Sequence, residues 1–112
     1  MANEFMFNLS VLLLKEGKSW VAQCLEFDIT AQGKTPKDAK KTFENTLLGQ
    51  FILDVEQGKK PLEGIPQTPK IYFDLIERVK PRQQERKSIY VPQSIPSVRA
   101  ASANYLQMAG AA

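Results

Sequence analysis

Hydrophobic residues occupy every second position in the first part of the chain, which predicts a β-strand. A period of two places such residues on one face of a strand. At Leu12 and Leu14 the opposite face also becomes apolar, so we predict that this end of the strand is covered on both sides. The alternating residues are Phe5, Phe7, Leu9, Val11 and Leu13.

A short polar turn and two further extended runs follow this strand. Residues 15–18 form a turn that contains Gly17, and residues 20–25 are a second strand, so an antiparallel hairpin is expected. After a break at residues 26–28, residues 29–31 predict a third, shorter strand. Gly33 then suits either a positive φ or a tight exit from the strand.

An apolar stripe with a period of four predicts the main helix, from Pro36 to about Gln57. Thr35 is a good N-cap, and Pro36 and Asp38 suit the first helical turn. Gly49 lies inside this helix and is interpreted as a tolerated defect, costing about 1 kcal/mol relative to alanine. The stripe consists of Ala39, Phe43, Leu47, Phe51 and Val55, widened by Leu48 and Ile52.

The pattern after this helix is less regular. Residues 59–67 predict a loop, and Thr68 with Pro69 predicts the start of a short amphipathic helix that Pro81 ends. Residues 81–87 are interpreted as an exposed basic linker. Residues 88–95 predict an extended segment, either an edge strand or an arm on a partner, because Pro92 and Pro96 exclude a central strand.

A last short helix is predicted from Ser97, with a thin apolar face. Val98, Ala101, Tyr105 and Met108 form that face.

Together these elements predict an α+β fold. Its core is a three-stranded antiparallel sheet of β-β-β-α order, open to a fourth strand, with the long helix packed on one face. A short second helix and a C-terminal arm complete it. We predict an α+β domain over residues 1–80, and a basic linker with a C-terminal arm or short helix over residues 81–112.

The residues that usually carry catalysis are scarce in this sequence. There is no histidine, which removes the commonest general base and zinc ligand. Cys24 lies in an apolar strand, which indicates a buried structural thiol and not a nucleophile. The sequence therefore predicts no enzyme, no catalytic residue, no metal site and no cofactor. A metal nuclease site formed by Glu26 and Asp28, with Glu4 or Glu44, is the alternative, although two acids at a strand end are more often solvated.

The charge of the chain is divided unevenly between its two halves. The net charge is −2 over residues 1–58 and +5 over residues 59–112. A basic stretch near aromatic residues can hold single-stranded nucleic acid, but a solvated basic surface is the commoner case. The predicted nucleic-acid or partner contacts are Arg78, Lys80, Arg82, Arg86, Lys87 and Tyr90.

The location and assembly of the chain can also be predicted from simple features. No apolar run approaches the roughly 18–20 residues that cross a bilayer, and the first eight residues have no secretory pattern. With a single cysteine, this indicates a cytoplasmic protein without a membrane contact. A chain of 112 residues buries a modest share of its surface, so a homo-oligomer, a dimer or higher, is expected.

The segment from Trp20 to Asp28, followed by residues 30–35 and Ala39, resembles the N-terminal domain of HicB-type antitoxins. That family shows a strand that begins with an aromatic residue, a link of the type Cys/Pro-x-x-Asp, a Gly-x-Thr turn and a helix with an early alanine. The resemblance covers roughly residues 5–60. It implies a partial ribonuclease-H-like β-β-β-α-β fold without nuclease activity.

The resemblance also implies a function, namely sequestration of a small HicA-like ribonuclease toxin. HicB antitoxins usually bind operator DNA through a C-terminal ribbon-helix-helix or helix-turn-helix motif. After Ser88 this chain has one strand-like run and one short predicted helix, which completes neither motif. We therefore expect a non-catalytic antitoxin or antitoxin-derived interaction domain. The alternative is a stand-alone nucleic-acid-binding module that uses residues 78–87.

Overall fold

The computed structural model describes residues 5–108, which form a five-stranded mixed sheet with a helix on each face. The α+β class, the long helix and the short second helix are confirmed. The strands are β1 (Phe5–Glu16), β2 (Ser19–Cys24), β3 (Thr30–Gly33), β4 (Gln83–Ile89) and β5 (Val98–Gln107), and the helices are α1 (Pro36–Glu56) and α2 (Lys70–Arg78).

The strand order across the sheet is β3-β2-β1-β5-β4. The first three strands form the predicted antiparallel meander, and Gly17, with a φ of 59°, makes the turn between β1 and β2. The last strand, β5, runs parallel to β1 and antiparallel to β4. The last part of the chain thus returns to the middle of the sheet.

Strand β1 lies at the centre and is covered on both faces, as its sequence predicts. Val11 and Leu13 pack in the cluster beneath α1 and are fully buried. Leu12 points the other way and packs with Leu14 against residues of α2. The two clusters occupy opposite faces because successive side chains of a strand point to opposite sides.

Helix α1 begins where its sequence predicts. The Thr35 hydroxyl oxygen accepts a hydrogen bond from the Asp38 N–H at 3.1 Å, which caps the first turn. The stripe deviates from prediction at its C-terminal end, where Asp54 is buried while Ile52 and Val55 are exposed. A helix turns every 3.6 residues, so a stripe with a period of four rotates away from the core. The buried members of the predicted stripe are Ala39, Phe43, Leu47 and Phe51.

Buried Asp54 holds the loop that follows α1. One of its carboxylate oxygens accepts the Leu62 N–H at 2.7 Å, and the other accepts the Gln50 side-chain amide at 2.9 Å. Leu62 is buried and has a φ of 63°, a left-handed conformation that is unfavourable for leucine. The Asp54 bond and the burial of the Leu62 side chain together stabilise this conformation.

Of the two roles predicted for Gly33, the structure shows the tight exit from the strand and not the positive φ. A Cβ there would lie 2.5 Å from the Ala39 backbone nitrogen. Thr68 does not cap α2, because its hydroxyl donates to the Cys24 carbonyl at 2.8 Å. It therefore fastens the chain segment before α2 to the end of β2.

Residues 83–107 correct two predictions about the C-terminal part of the chain. The predicted basic linker over residues 81–87 is largely strand β4, and the predicted short helix from Ser97 is strand β5. The extended segment predicted from Ser88 belongs partly to β4, at the edge of the sheet. Pro92 and Pro96 lie in the connection between the two strands.

The prediction of a helix at β5 was wrong because apolar residues of this segment are buried on both faces of the sheet. Ala101, Ala103 and Tyr105 point toward α1, while Leu106 and Met108 join the cluster beneath α2. A strand buried on both faces loses the simple alternation that identifies strands in a sequence. Its alanines also favour a helix intrinsically, and tertiary pairing with β1 overrides that preference.

The two glycines near and inside α1 should respond oppositely to replacement by alanine. Gly33→Ala should lower the free energy of unfolding by about 1–3 kcal/mol, because the added methyl group meets the first turn of α1. Gly49→Ala should raise it by about 1 kcal/mol, because nothing lies within 4 Å of the new Cβ. Urea denaturation measures both changes, and the same sign for both variants would contradict the assignment.

Replacing Asp54 should be the costliest polar change in α1. Asp54→Ala leaves the buried Leu62 N–H without its acceptor and is expected to cost about 2–3 kcal/mol. Glu56→Ala is the matched control, because Glu56 is an exposed acid at the last position of the same helix. It should change stability by under about 0.5 kcal/mol. Equal urea midpoints for the two variants would show that Asp54 does not hold the loop.

Candidate partner-binding surfaces

The six predicted contact residues are all exposed, but they do not form one surface. Strand β4 divides the adjacent residues Arg86 and Lys87 between opposite faces of the sheet, because side chains alternate along a strand. Arg78 lies in α2, and Lys80 lies in the segment between α2 and β4. The contiguous basic stretch in the sequence is therefore not a contiguous basic patch, which weakens the nucleic-acid alternative. Arg82 precedes β4, and Tyr90 follows it with 77% of its surface exposed.

On the α1 face, β4 and β5 meet the helix through a network of charged groups. The Lys87 ammonium lies 3.1 Å from both Glu44 carboxylate oxygens, and the Tyr105 hydroxyl donates to Glu44 at 2.7 Å. Lys40 pairs with Glu85 at 3.2 Å and lies 5.4 Å from the centre of the Tyr105 ring. The side chains line a groove of about 660 Å³ between α1 and β4.

Tyr105 is the buried anchor of this network. Burial raises the pKa of the Tyr105 hydroxyl, and the hydrogen bond to Glu44 raises it further, so the group remains a proton donor. The Tyr105 ring meets Phe43 edge to face, with centroids 6.4 Å apart. Each surface pair around it has one partner that is at least half exposed, and each pair contributes under about 1 kcal/mol. The network therefore positions β4 beside α1 more than it stabilises the fold.

The opposite face of the sheet is only partly covered. Beyond α2, a shallow polar groove of about 210 Å³ runs across β1, β5 and β4. Arg86 lies opposite Asn104, which lies opposite Ser10, so one row of side chains crosses three strands. The next row contains Asn8 and Ser102, whose side chains are hydrogen-bonded at 2.8 Å.

Helix α2 covers the rest of this face and leaves apolar surface of its own exposed. None of its residues is fully buried, and Ile71 is 69% exposed. A groove of about 580 Å³ runs between α2 and the end of β1, and Ile71, Tyr72 and Leu75 supply its apolar and aromatic lining. Glu16 and Asp74 line it as well, with Arg78 as the one cation. It combines apolar area with two carboxylates, as protein-binding sites often do.

The acids considered for a metal nuclease have structural partners. Glu26 accepts hydrogen bonds from the Ser10 N–H at 2.8 Å and from the Cys24 thiol at 3.7 Å. Asp28 accepts the Gln23 side-chain amide at 3.1 Å. Glu44 belongs to the separate network with Tyr105, and Glu4 lies outside the described residues. Within residues 5–108 no three His, Cys, Asp or Glu side chains are grouped closely enough to bind a metal ion.

Cys24 is fully buried, as its apolar strand predicts. Burial raises the pKa of its thiol from 9.0 to about 12, against weaker lowering by backbone hydrogen bonds from residues 26 and 27. At neutral pH the group is therefore a protonated thiol, which is a poor nucleophile.

The sequence did not predict the groove beside α2 or the network around Tyr105. The groove beside α2 depends on which turn of that helix meets β1, and the Tyr105 network joins residues 61 positions apart. The signal available for the α2 groove was the apolar first turn of that helix, where Ile71 lies beside Tyr72. The Tyr105 network was not predicted because residues 97–108 were interpreted as a helix.

No family model, no curated protein sequence and no solved structure matches this chain significantly. The HicB resemblance therefore rests on the residue pattern alone. In the part of the chain that the structure covers, neither helix is long and apolar enough to cross a membrane.

Stability should fall with rising pH above about 9, with Cys24 as one cause. The folded thiol keeps its proton until pH about 12, whereas the unfolded thiol releases it above 9.0. Between these values rising pH favours the unfolded state by about 1.4 kcal/mol per pH unit, and below 9.0 the effect is absent.

Urea unfolding at pH 8 and pH 10 measures this loss. Cys24→Ala should lose less stability between the two pH values than the parent chain, because it lacks the thiol. An identical loss in both proteins would show that Cys24 does not titrate as its burial requires.

Proposed function

We propose that this chain is a non-catalytic binding protein of the HicB-like antitoxin kind, which holds a small ribonuclease toxin in an inactive complex. The observation that carries the proposal is the topology of the sheet. Strands β1, β2 and β3 form an antiparallel meander, α1 crosses one face, and β5 returns beside β1 in parallel. This arrangement is compatible with the β-β-β-α-β order that the sequence resemblance implies.

The toxin-binding surface in this proposal is the groove between α2 and the end of β1. Ile71 supplies exposed apolar area that a partner can bury, and Glu16 with Asp74 supplies negative charge. A ribonuclease that binds RNA carries a basic substrate surface. Docking of that surface against the carboxylates is favourable, and it places the bulk of this domain over the site that RNA would enter.

The mechanism is steric and electrostatic and requires no reaction by this chain. The partner's basic side chains pair with carboxylates in place of RNA phosphates, so antitoxin and RNA compete for one surface. A cytoplasmic location belongs to the proposal, because the toxin acts on cellular RNA and Cys24 is a free thiol.

DNA binding is not part of this proposal. The segment that carries a DNA-binding motif in HicB antitoxins corresponds here to β4 and β5, which are strands of the sheet itself. A ribbon-helix-helix or helix-turn-helix motif needs two helices in that region, and the described residues after 82 contain none.

Co-expression with a candidate small ribonuclease toxin tests the function. The chain should restore growth that this toxin inhibits, and the two proteins should co-purify. Ile71→Asp is expected to reduce the affinity at least about 10-fold, because it places a charge in the apolar part of the groove beside two carboxylates. Isothermal titration calorimetry with the purified partner measures the change.

Ile52→Asp is the matched control, since Ile52 is also exposed but lies on α1, away from the groove. It should bind as the parent chain does. Absence of both growth rescue and a complex would overturn the antitoxin function. A complex that Ile71→Asp leaves unchanged would retain the function but move the binding surface elsewhere.

A further inference from the structure

Strand β4 is a long edge strand with one side free for pairing. It pairs with β5 at seven consecutive positions without a register shift, and no other strand within residues 5–108 pairs with it. Six of its seven residues are exposed. The other edge of the sheet, β3, is only four residues long. A regular edge of this length presents unpaired backbone groups that another strand can use.

β4 has few of the features that normally protect such an edge. It contains no proline and no bulge, both of which would prevent a second strand from approaching. Its protection consists of three consecutive charged residues, Glu85, Arg86 and Lys87. Because these charges have mixed signs, they oppose some pairing registers and favour others.

Symmetry restricts how two β4 strands can pair. Two identical antiparallel strands side by side are related by a two-fold axis perpendicular to the sheet. Each side chain then faces a side chain of the other copy on the same face of the sheet. One residue of β4 faces its own copy across the axis and is called the residue on the axis. With Glu85 on the axis, two carboxylates face each other, and with Lys87 on the axis, two ammonium groups do. With Arg86 on the axis, Glu85 of each copy faces Lys87 of the other.

We propose that two copies of this chain associate through antiparallel pairing of their β4 strands, with Arg86 at the two-fold axis. The two five-stranded sheets then form one continuous sheet. The partner is a second copy of this chain, and the determinant of the register is the pair of cross-strand contacts between Glu85 and Lys87.

The side chains involved are available for this contact. Glu85 is 58% exposed and uses one carboxylate oxygen for Lys40, while Lys87 is 50% exposed beside Glu44. Directly opposed residues in an antiparallel pair have Cβ atoms about 4.5–5.5 Å apart, which is within reach of an ion pair. The contact creates a row of alternating charges across the two copies. Lys40 and Glu85 of one copy are followed by Lys87 and Glu44 of the other.

In this register the two Arg86 side chains face each other, and their like charges repel. They lie on the other face of the sheet, away from the Glu85–Lys87 contacts, where Arg86 borders the polar groove. Since two opposite-charge pairs outnumber one like-charge pair, the register remains favourable. Pairing along a single strand buries a small area, so the dimer is expected to be weak and concentration-dependent.

A charge-exchange experiment tests the interface. Sedimentation velocity of the parent chain, up to about 500 µM, should show a monomer–dimer equilibrium, as expected for a small interface. Glu85→Lys and Lys87→Glu should each weaken the dimer at least about 10-fold, because each variant places like charges opposite one another twice. An equimolar mixture of the two variants should dimerise again, because both cross-strand contacts then join opposite charges.

Three controls separate this interface from other effects. Lys40→Gln removes the partner of Glu85 within the chain and should leave the dimer intact. Arg86→Gln should strengthen the dimer, because it removes the like charges at the axis. Circular dichroism and urea midpoints show whether each variant remains folded.

A parent chain that stays monomeric throughout the concentration range would overturn the proposal. Variants that dimerise as the parent does, or a mixture of the two that stays monomeric, would overturn it equally. The proposed interface does not depend on the toxin, since the α2 groove and the β4 edge are formed by different residues.

Discussion

The pairing of β5 with β1 is the interaction on which the rest of this structure depends. It joins the first and last strands of the described chain in parallel, from Phe5 to Leu13 of β1 and along the length of β5. Without β5, one edge of β1 would be unpaired, and Leu9 and Val11 would lose Ala103 and Tyr105, the buried residues directly opposite them. Strand β4 would also lose its place, because it is attached to the sheet only through β5.

The same pairing explains why the sheet needs a helix on each face. Burial of β1 and β5 at the centre brings Leu12 and Leu106 together on the face opposite α1, where α2 covers them. The cover is incomplete, because α2 has only nine residues and crosses one end of the sheet. The rest of that face carries small polar side chains such as Asn8 and Ser102, which are compatible with water or with a polar partner.

The two proposed binding surfaces arise where the elements stop covering the sheet. The exposed side of α2 combines Ile71 with two carboxylates, and β4 carries Glu85 and Lys87 on its α1 face. The groups considered for chemistry lie elsewhere, since Cys24 is a buried, protonated thiol and Glu26 accepts hydrogen bonds from Ser10 and Cys24. The proposed partner site on α2 and the proposed pairing edge of β4 share no residue.

Much of this architecture was determined by local sequence. Alternation of apolar residues indicated β1 and its two-sided burial, Gly17 indicated the first turn, and Thr35 with Pro36 indicated the start of α1. These features depend on the hydrogen-bonding and steric properties of a few adjacent residues, and such properties change little with the rest of the fold. The class of the fold followed from the order of these elements.

Only the tertiary structure decided the remainder. Residues 98–107 are rich in alanine and lack simple alternation, so their conformation follows from the strand beside them and not from their own preference. The division of Arg86 and Lys87 between two faces is likewise a property of β4 as a strand, and a basic stretch in the sequence gives no sign of it. The surfaces of this protein were thus decided by long-range pairing, because a residue's own side-chain chemistry does not specify which face of a sheet it will occupy.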